Sequence, residues 1–256
     1  MKFYGDYHTH TRYSDAVGTV RQSAEAAIKR GLVELGISDH GYNNASLSLT
    51  RKKAIKQRVE INSIRREFPT LKIYRSIEAD LIGLDGTIDM DIEEFYDYDY
   101  IIAGFHRWAV AKGIKDFFGI YYPAYMTTFR APKEKEIVHN TDSTIKMLER
   151  YPIAIFPHMN SGTHVDPVAV ATACADLGVF VELNVKHLER NLGHENFEKV
   201  LTTNARFIAS SDAHNPERIG NLDKIIDFVS QYGIEDRIVN TGNSTPNFRT
   251  IKNTLR

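Results

Sequence analysis

Short, mostly apolar runs alternate with longer stretches of helical periodicity along this chain. The runs are Phe3–Tyr7, Glu34–Ser38, Lys72–Ile77, Tyr100–Gly104, Ile153–Pro157, Val179–Leu183 and Phe207–Ser210, with a weaker eighth at Ile238–Asn240. Their length and composition suit parallel strands buried on both faces. Between them, Val20–Arg30 stops at Gly31, a favourable helix end. Thr50 is placed to cap a helix that has ended by Pro69, and Lys133–Arg150 is amphipathic. Asp166 and Pro167 open a helix that Gly178 closes. Leu222–Tyr232 precedes Gly233, and a last helix is expected over Pro246–Leu255. Strand–helix alternation of this kind predicts an α/β fold with a parallel sheet and right-handed crossovers.

The chain has 256 residues, enough for one barrel-sized domain, and no linker or repeat divides it. A net charge of −1 supplies no general field to attract nucleic acid. With Cys174 alone, an internal disulfide and a cysteine-rich zinc site are both excluded, and its apolar setting predicts a buried thiol. No apolar run is long enough to cross a membrane, and the first residues lack a signal-peptide pattern, so a cytoplasmic protein is expected.

Two segments differ from scaffold. Leu84–Asp99 is rich in Asp and Glu and reads as a solvated loop. Phe105–Pro132 is long and aromatic, with Trp108, Phe117, Phe118, Tyr121, Tyr122, Tyr125 and Phe129, which predicts a lid or pocket wall. Trp108, Tyr121 and Tyr122 are candidates for stacking on a base. Arg51, Lys52, Lys53, Lys56, Arg58, Arg65 and Arg66 make one helix basic, read as a solvated face.

The chemistry lies where the strands end. His8 and His10 stand two apart, so both point to one side and can chelate one ion. Asp15 follows. Asp39-His40 ends the second strand, Glu78 the third, His106 the fourth and His158 the fifth; Asp212-Ala213-His214 follows the seventh. Of ten histidines, six fall at or just beyond a strand's C-terminal end, the rim on which β/α barrels build active sites. Donors after at least six strands favour a closed barrel over an open sheet, which gathers ligands at one switch point. Imidazole and carboxylate without thiolate suit Zn²⁺, Mn²⁺ or Fe²⁺. Six histidines and three carboxylates exceed what one ion needs.

In order along the chain, His8-Thr9-His10-Thr11, Ser14-Asp15, Ile37-Ser38-Asp39-His40-Gly41, Glu78, His106, His158 and Ser211-Asp212-Ala213-His214 resemble the motif set of the PHP (polymerase and histidinol phosphatase) family, in particular its stand-alone metallophosphoesterase branch. The resemblance implies a distorted (β/α)7 TIM-like barrel with three divalent metal ions. It implies His8, His10, Glu78 and Asp212 on one ion, Glu78 bridging to a second held by His106 and His158, and Asp15, His40 and His214 on a third. Ser76 and Ala16 stand where the family often has Gly, and Met159-Asn160 where it has Pro-Gly; no ligand is lost.

Three carboxylates and three divalent ions would leave an excess of about +3, a setting for phosphate and for a hydroxide generated by the metals. Glu78, Asp212 and His214 are then the catalytic candidates. Arg107 is the first candidate for holding phosphate, with Arg12, Lys186 and Arg218 behind it, and His187 for protonating the leaving group. Asp6 and Asp39 are candidates for orienting ligands. His139, His164 and His194 read as surface or helix residues. The expected activity is hydrolysis of a small-molecule phosphomonoester. The alternatives are a 3′–5′ nuclease, a histidinol-phosphate phosphatase and a non-catalytic metal-binding module.

Overall fold

The computed structural model describes residues 1–45, 48–242 and 245–254. Seven parallel strands pair in chain order: β1 (Gly5–Asp6), β2 (Glu34–Ile37), β3 (Lys72–Asp80), β4 (Tyr100–Gly104), β5 (Ile155–Phe156), β6 (Phe180–Asn184) and β7 (Phe207–Ser210). The ring nearly closes. Thr9 bridges Ala213 in parallel, and the His10 amide donates to Ala213 O at 2.9 Å. Below that bridge the Asn240 amide fills the gap, donating to Gly5 O and Ala209 O and accepting from Ala209 N. The weaker strand candidate Ile238–Asn240 therefore adds no eighth strand; Ile238 makes one bridge to Phe207, and Asn240 contributes a side chain in place of a ladder. The architecture is the barrel that the donor pattern favours, in the distorted (β/α)7 form that the resemblance implies.

The helices are α1 (Val20–Lys29), α2 (Arg51–Glu67), α3 (Ile114–Asp116), α4 (Tyr122–Met126), α5 (Glu134–Arg150), α6 (Pro167–Leu177), α7 (Gly193–Leu201), α8 (Asp223–Ser230) and α9 (Ile251–Thr254). Caps explain several ends. Thr19 and Gln22 form a capping box before α1, and Thr50 accepts from Lys53 N. Asp166 accepts from Val168 N and Ala169 N, and Gly178 ends α6 at φ 69°. α7 lacks a side-chain cap, which is why its sequence does not announce it.

Three expectations shift. β1 is shorter than Phe3–Tyr7, because Phe3 pairs antiparallel with Thr241 instead of joining the barrel ladder. β5 stops before Pro157, which has no N–H to give, and His158 turns away at φ 25°. The last helix contracts to α9, since the chain before it carries Phe248 onto Tyr100 with ring centroids 4.3 Å apart; Leu255 lies outside the described residues.

The two-residue period of the strands sorts the core. Tyr74, Tyr100, Ile102, Phe180 and Ile208 pack with Tyr7 and Phe248 in one cluster. The alternate positions, among them Ile73, Ile77, Ile101, Val181 and Ala209, pack in the layers that contain helix residues. In two-residue steps β3 runs Tyr74, Ser76, Glu78, Asp80, and two along β6 from Phe180 comes Glu182. One row thus changes from aromatic to carboxylate towards the strand ends. Gly36 permits a close crossing in this row: a Cβ there would stand 1.9 Å from the Tyr100 hydroxyl, which donates to Tyr7 O.

The acidic segment is not simply a solvated loop. Asp89 is buried and accepts from Asp80 N and Asn43 N. Its outer carboxylates meet α2: Arg51 pairs with Glu94 at 2.8 Å, Arg58 with Asp97 at 2.9 Å and Arg65 with Asp99 at 2.7 Å. Three arginines of the basic helix are therefore paired with the acidic segment. Cys174 is buried, and burial pushes its thiol well up.

Candidate metal centre and its pocket

All nine candidate donors converge on the C-terminal rim, and Glu78 lies at their middle. Its Oε1 is 2.8 Å from His158 Nε2 and 3.3 Å from His106 Nε2. Its Oε2 is 3.2 Å from His8 Nε2, 3.4 Å from His10 Nε2 and 3.1 Å from His40 Nδ1. Asp212 Oδ1 stands 3.4 Å from His10 Nε2 and 3.4 Å from His214 Nδ1. Asp15 Oδ2 stands 3.1 Å from His214 Nε2 and 3.6 Å from His40 Nε2. Three groups have donor atoms close enough to share an ion: His10, Asp15, His40 and His214; His8, His10 and Glu78; and His40, Glu78 and His106.

The backbone is shaped to present these groups. His158 and Asp212 hold φ of 25° and 51°, which side-chain-bearing residues rarely adopt. The first is held by its amide donating to Glu182 Oε2 at 2.8 Å. Asp6 accepts from Ser211 N and Gly220 N, fastening the turn that carries Asp212. Asp39 accepts from Thr11 N, Thr11 Oγ1, Ser14 Oγ and Gln57 Nε2. It orders the loop leading to Asp15; no hydrogen bond joins it to the adjacent His40 ring among the described residues.

Burial opposes charge throughout, yet the groups hold one another ionised. His8, His106 and His158 keep Glu78 well below the usual carboxylate range despite its burial. Against the same penalty, Glu78 and Glu182 raise His8, and Asp15 and Glu78 raise His40 to about 9. His10 goes the other way: burial, with His40 beside it, lowers it to about 3. A divalent ion fits such a set. Glu78 Oε2, His10 Nδ1 and His40 Nδ1 are buried and have no hydrogen-bond partner among the described residues, a costly state for polar atoms in a folded interior.

Three supporting residues escape the sequence reading. Glu182 accepts from His8 Nδ1 at 2.7 Å, Asp80 faces His106 Nδ1 at 2.6 Å, and Asn184 Nδ2 reaches Asp212 Oδ2 at 3.3 Å. A carboxylate on the far ring nitrogen fixes a histidine's tautomer and orientation. The signal for Glu182 was a lone acid inside the apolar run Val179–Leu183; for Asp80 it was the two-residue step from Glu78.

Beside the centre opens a cavity of about 400 Å³, whose lining includes His106, Arg107, Trp108, Ser161, His187 and Arg190. His187 Nε2 is 3.7 Å from Asp212 Oδ2, and burial with His158 nearby lowers its pKa to about 4. Arg107 Nε donates to Gly162 O at 2.9 Å, and its terminal nitrogens to Thr127 and Thr128. It ties the aromatic segment to the loop after β5, and the start of that segment, Phe105 to Trp108, forms one wall of the pocket. Tyr121 is core, donating to Leu81 O, whereas Trp108 is exposed at the pocket. Arg12 is occupied by Glu60, and Lys186 and Arg218 are exposed.

A family model described as PHP domain matches residues 6–212. The chain belongs to the PHP domain family. This PHP chain is 24% identical over 246 residues to a protein of Acetivibrio thermocellus named "Probable phosphatase", a match covering 93% of this chain and 91% of that one. It is 25% identical over 222 residues to "DNA polymerase/3'-5' exonuclease PolX" of Bacillus subtilis, covering 85% of this chain but 35% of PolX. In fold it is similar to histidinol phosphate phosphatase of Lactococcus lactis, solved with zinc, L-histidinol and phosphate: TM-score 0.62, 18% identity, 91% of this chain and 95% of that chain. A putative histidinol phosphatase of Listeria monocytogenes is similar at TM-score 0.63 and 14% identity, with 89% of this chain and 99% of that chain covered. No helix among the described residues is long and apolar enough to cross a membrane.

Proposed function

We propose that the chain is a metal-dependent phosphoric ester hydrolase that cleaves small-molecule phosphomonoesters. The observation that carries this reading is the gathering of nine donors on one rim, five imidazoles of them around Glu78, with buried donor atoms that no group among the described residues satisfies, beside an open pocket. The named phosphatase of matching length supports it. His8, His10, Glu78 and Asp212 would hold one ion, Glu78, His106 and His158 a second, and Asp15, His40 and His214 a third. Zn²⁺, Mn²⁺ and Fe²⁺ suit this donor set. Bound there, divalent ions supply positive charge for phosphate oxygens and lower the pKa of water.

The protein's own groups do the rest. Glu182 and Asp80 hold His8 and His106 in one tautomer. His187, between Asp212 and the pocket, stands where the ester oxygen would leave; a bound phosphate would raise its low pKa and let it give up a proton there. Arg107 lines the pocket with no carboxylate pairing to it among the described residues, so its charge is free to attract phosphate. A nuclease with a long strand track is disfavoured, because three arginines of α2 are already paired with Glu94, Asp97 and Asp99.

The test is phosphate release from a panel of phosphomonoesters, with Mn²⁺ or Zn²⁺ and in a chelated parallel. Release only with metal supports the reading. No release from folded, metal-loaded protein overturns it, and oligonucleotides then become the next substrates to try.

A further inference from the structure

The pocket beside the metal centre has an uneven charge. It is lined by Arg107 and Arg190 and by the neutral polar groups of Asn160 and Ser161, while no Asp or Glu lines it among the described residues. Arg190 makes no hydrogen bond or ion pair among the described residues and is exposed. The pocket also holds Trp108, the one tryptophan of the chain, whose ring is largely exposed at 61%. A volume of about 400 Å³ admits a ring-sized group.

We infer that this pocket selects the leaving group: it takes a planar leaving group carrying its own negative charge, and it disfavours a cationic one such as an amino alcohol. This rests on the phosphomonoesterase reading above. An ammonium entering the pocket would lose water, meet two guanidinium groups and find no carboxylate partner. A carboxylate or second phosphate meets the Arg190 fork unopposed. The aromatic face of Trp108 offers a flat surface for a ring. The preference separates this chain from the structural neighbour solved with L-histidinol, an amino alcohol.

Three phenyl phosphates of matched size test it: the phosphate esters of 4-hydroxyphenylacetate, 4-ethylphenol and tyramine, which are anionic, neutral and cationic in the leaving group. The expected order of kcat/KM on the metal-loaded protein is anionic, neutral, cationic, with about tenfold between the ends, the worth of one partly exposed charged contact. Arg190→Gln should narrow the ratio, and Arg190→Glu should turn it towards tyramine phosphate. Quenching of Trp108 fluorescence by the free phenols should give the same order without turnover. Equal rates, or a preference for tyramine phosphate in the unaltered protein, overturn the inference and leave the phosphatase reading standing. No turnover of all three, with no order in phenol binding, overturns both.

Discussion

The two ends of the barrel treat buried polar groups in opposite ways. At the N-terminal end, Glu34 is buried, but it accepts from Tyr7 at 2.7 Å, Tyr74 at 3.2 Å and Thr245 at 2.5 Å, inside a packed set of aromatic rings. At the C-terminal end, Glu78 is equally buried, yet Oε2 has no hydrogen-bond partner among the described residues and faces three imidazoles. The same strands run through both ends. A satisfied polar network specifies the fold, whereas an unsatisfied one stores a demand that a ligand can meet.

The sharpest way to break the contrast is to remove a central donor. Glu78→Gln and His10→Ala should each lower turnover by more than about a hundredfold, the upper range seen for changes one shell further out. Circular dichroism should still report a folded barrel, and metal analysis should show lost ions. Normal activity in both variants would remove the metal-centre assignment.

Metal loading itself should stabilise the unaltered protein by about 3–4 kcal/mol at concentrations 100 to 1,000 times the dissociation constant. Thermal unfolding with and without chelator reads this. The shift should vanish in Glu78→Gln and persist in Glu34→Gln; an unchanged melting temperature on chelation would count against a built site.

Supporting residues should give an intermediate effect. Glu182→Gln keeps a side chain of the same shape but weakens its hold on His8, and it should cost about 10–100-fold in metal affinity or activity. Glu34→Ala, at the other end, should cost about 1–3 kcal/mol of stability by stranding the buried Tyr7 and Tyr74 hydroxyls. Its kcat per folded, metal-loaded molecule should stay unchanged. A large kcat loss there would mean that the two ends are coupled.

The smallest effect is expected outside the barrel. Arg58→Ala removes a surface pair with Asp97 and should change stability by less than about 1 kcal/mol and phosphatase activity not at all. A selective loss of oligonucleotide binding in that variant would instead assign α2 to nucleic acid.

Much of this was legible along the chain because it depends on local patterns. Thr50, Asp166 and Gly178 act on backbone within a few residues, so the ends of α2 and α6 are found where the sequence puts them. The nine donors sit just after apolar runs, and strand ends in a β/α barrel share one rim. Glu182 and Asp80 were harder to find, since their partners His8 and His106 lie 174 and 26 residues away. The contraction of the last helix depended on Phe248 finding Tyr100, another distant contact.

By itself, then, the sequence determined the strand–helix alternation, the donor types and the order in which they meet the rim, since period, capping and side-chain chemistry are local properties. Only the tertiary structure decided that Glu182 and Asp80 back His8 and His106, that α2 spends three of its arginines on the acidic segment, and that the pocket beside His187 is lined by arginine with no carboxylate among the described residues. Those are distances between segments far apart in the chain, set by how the strands close into a ring.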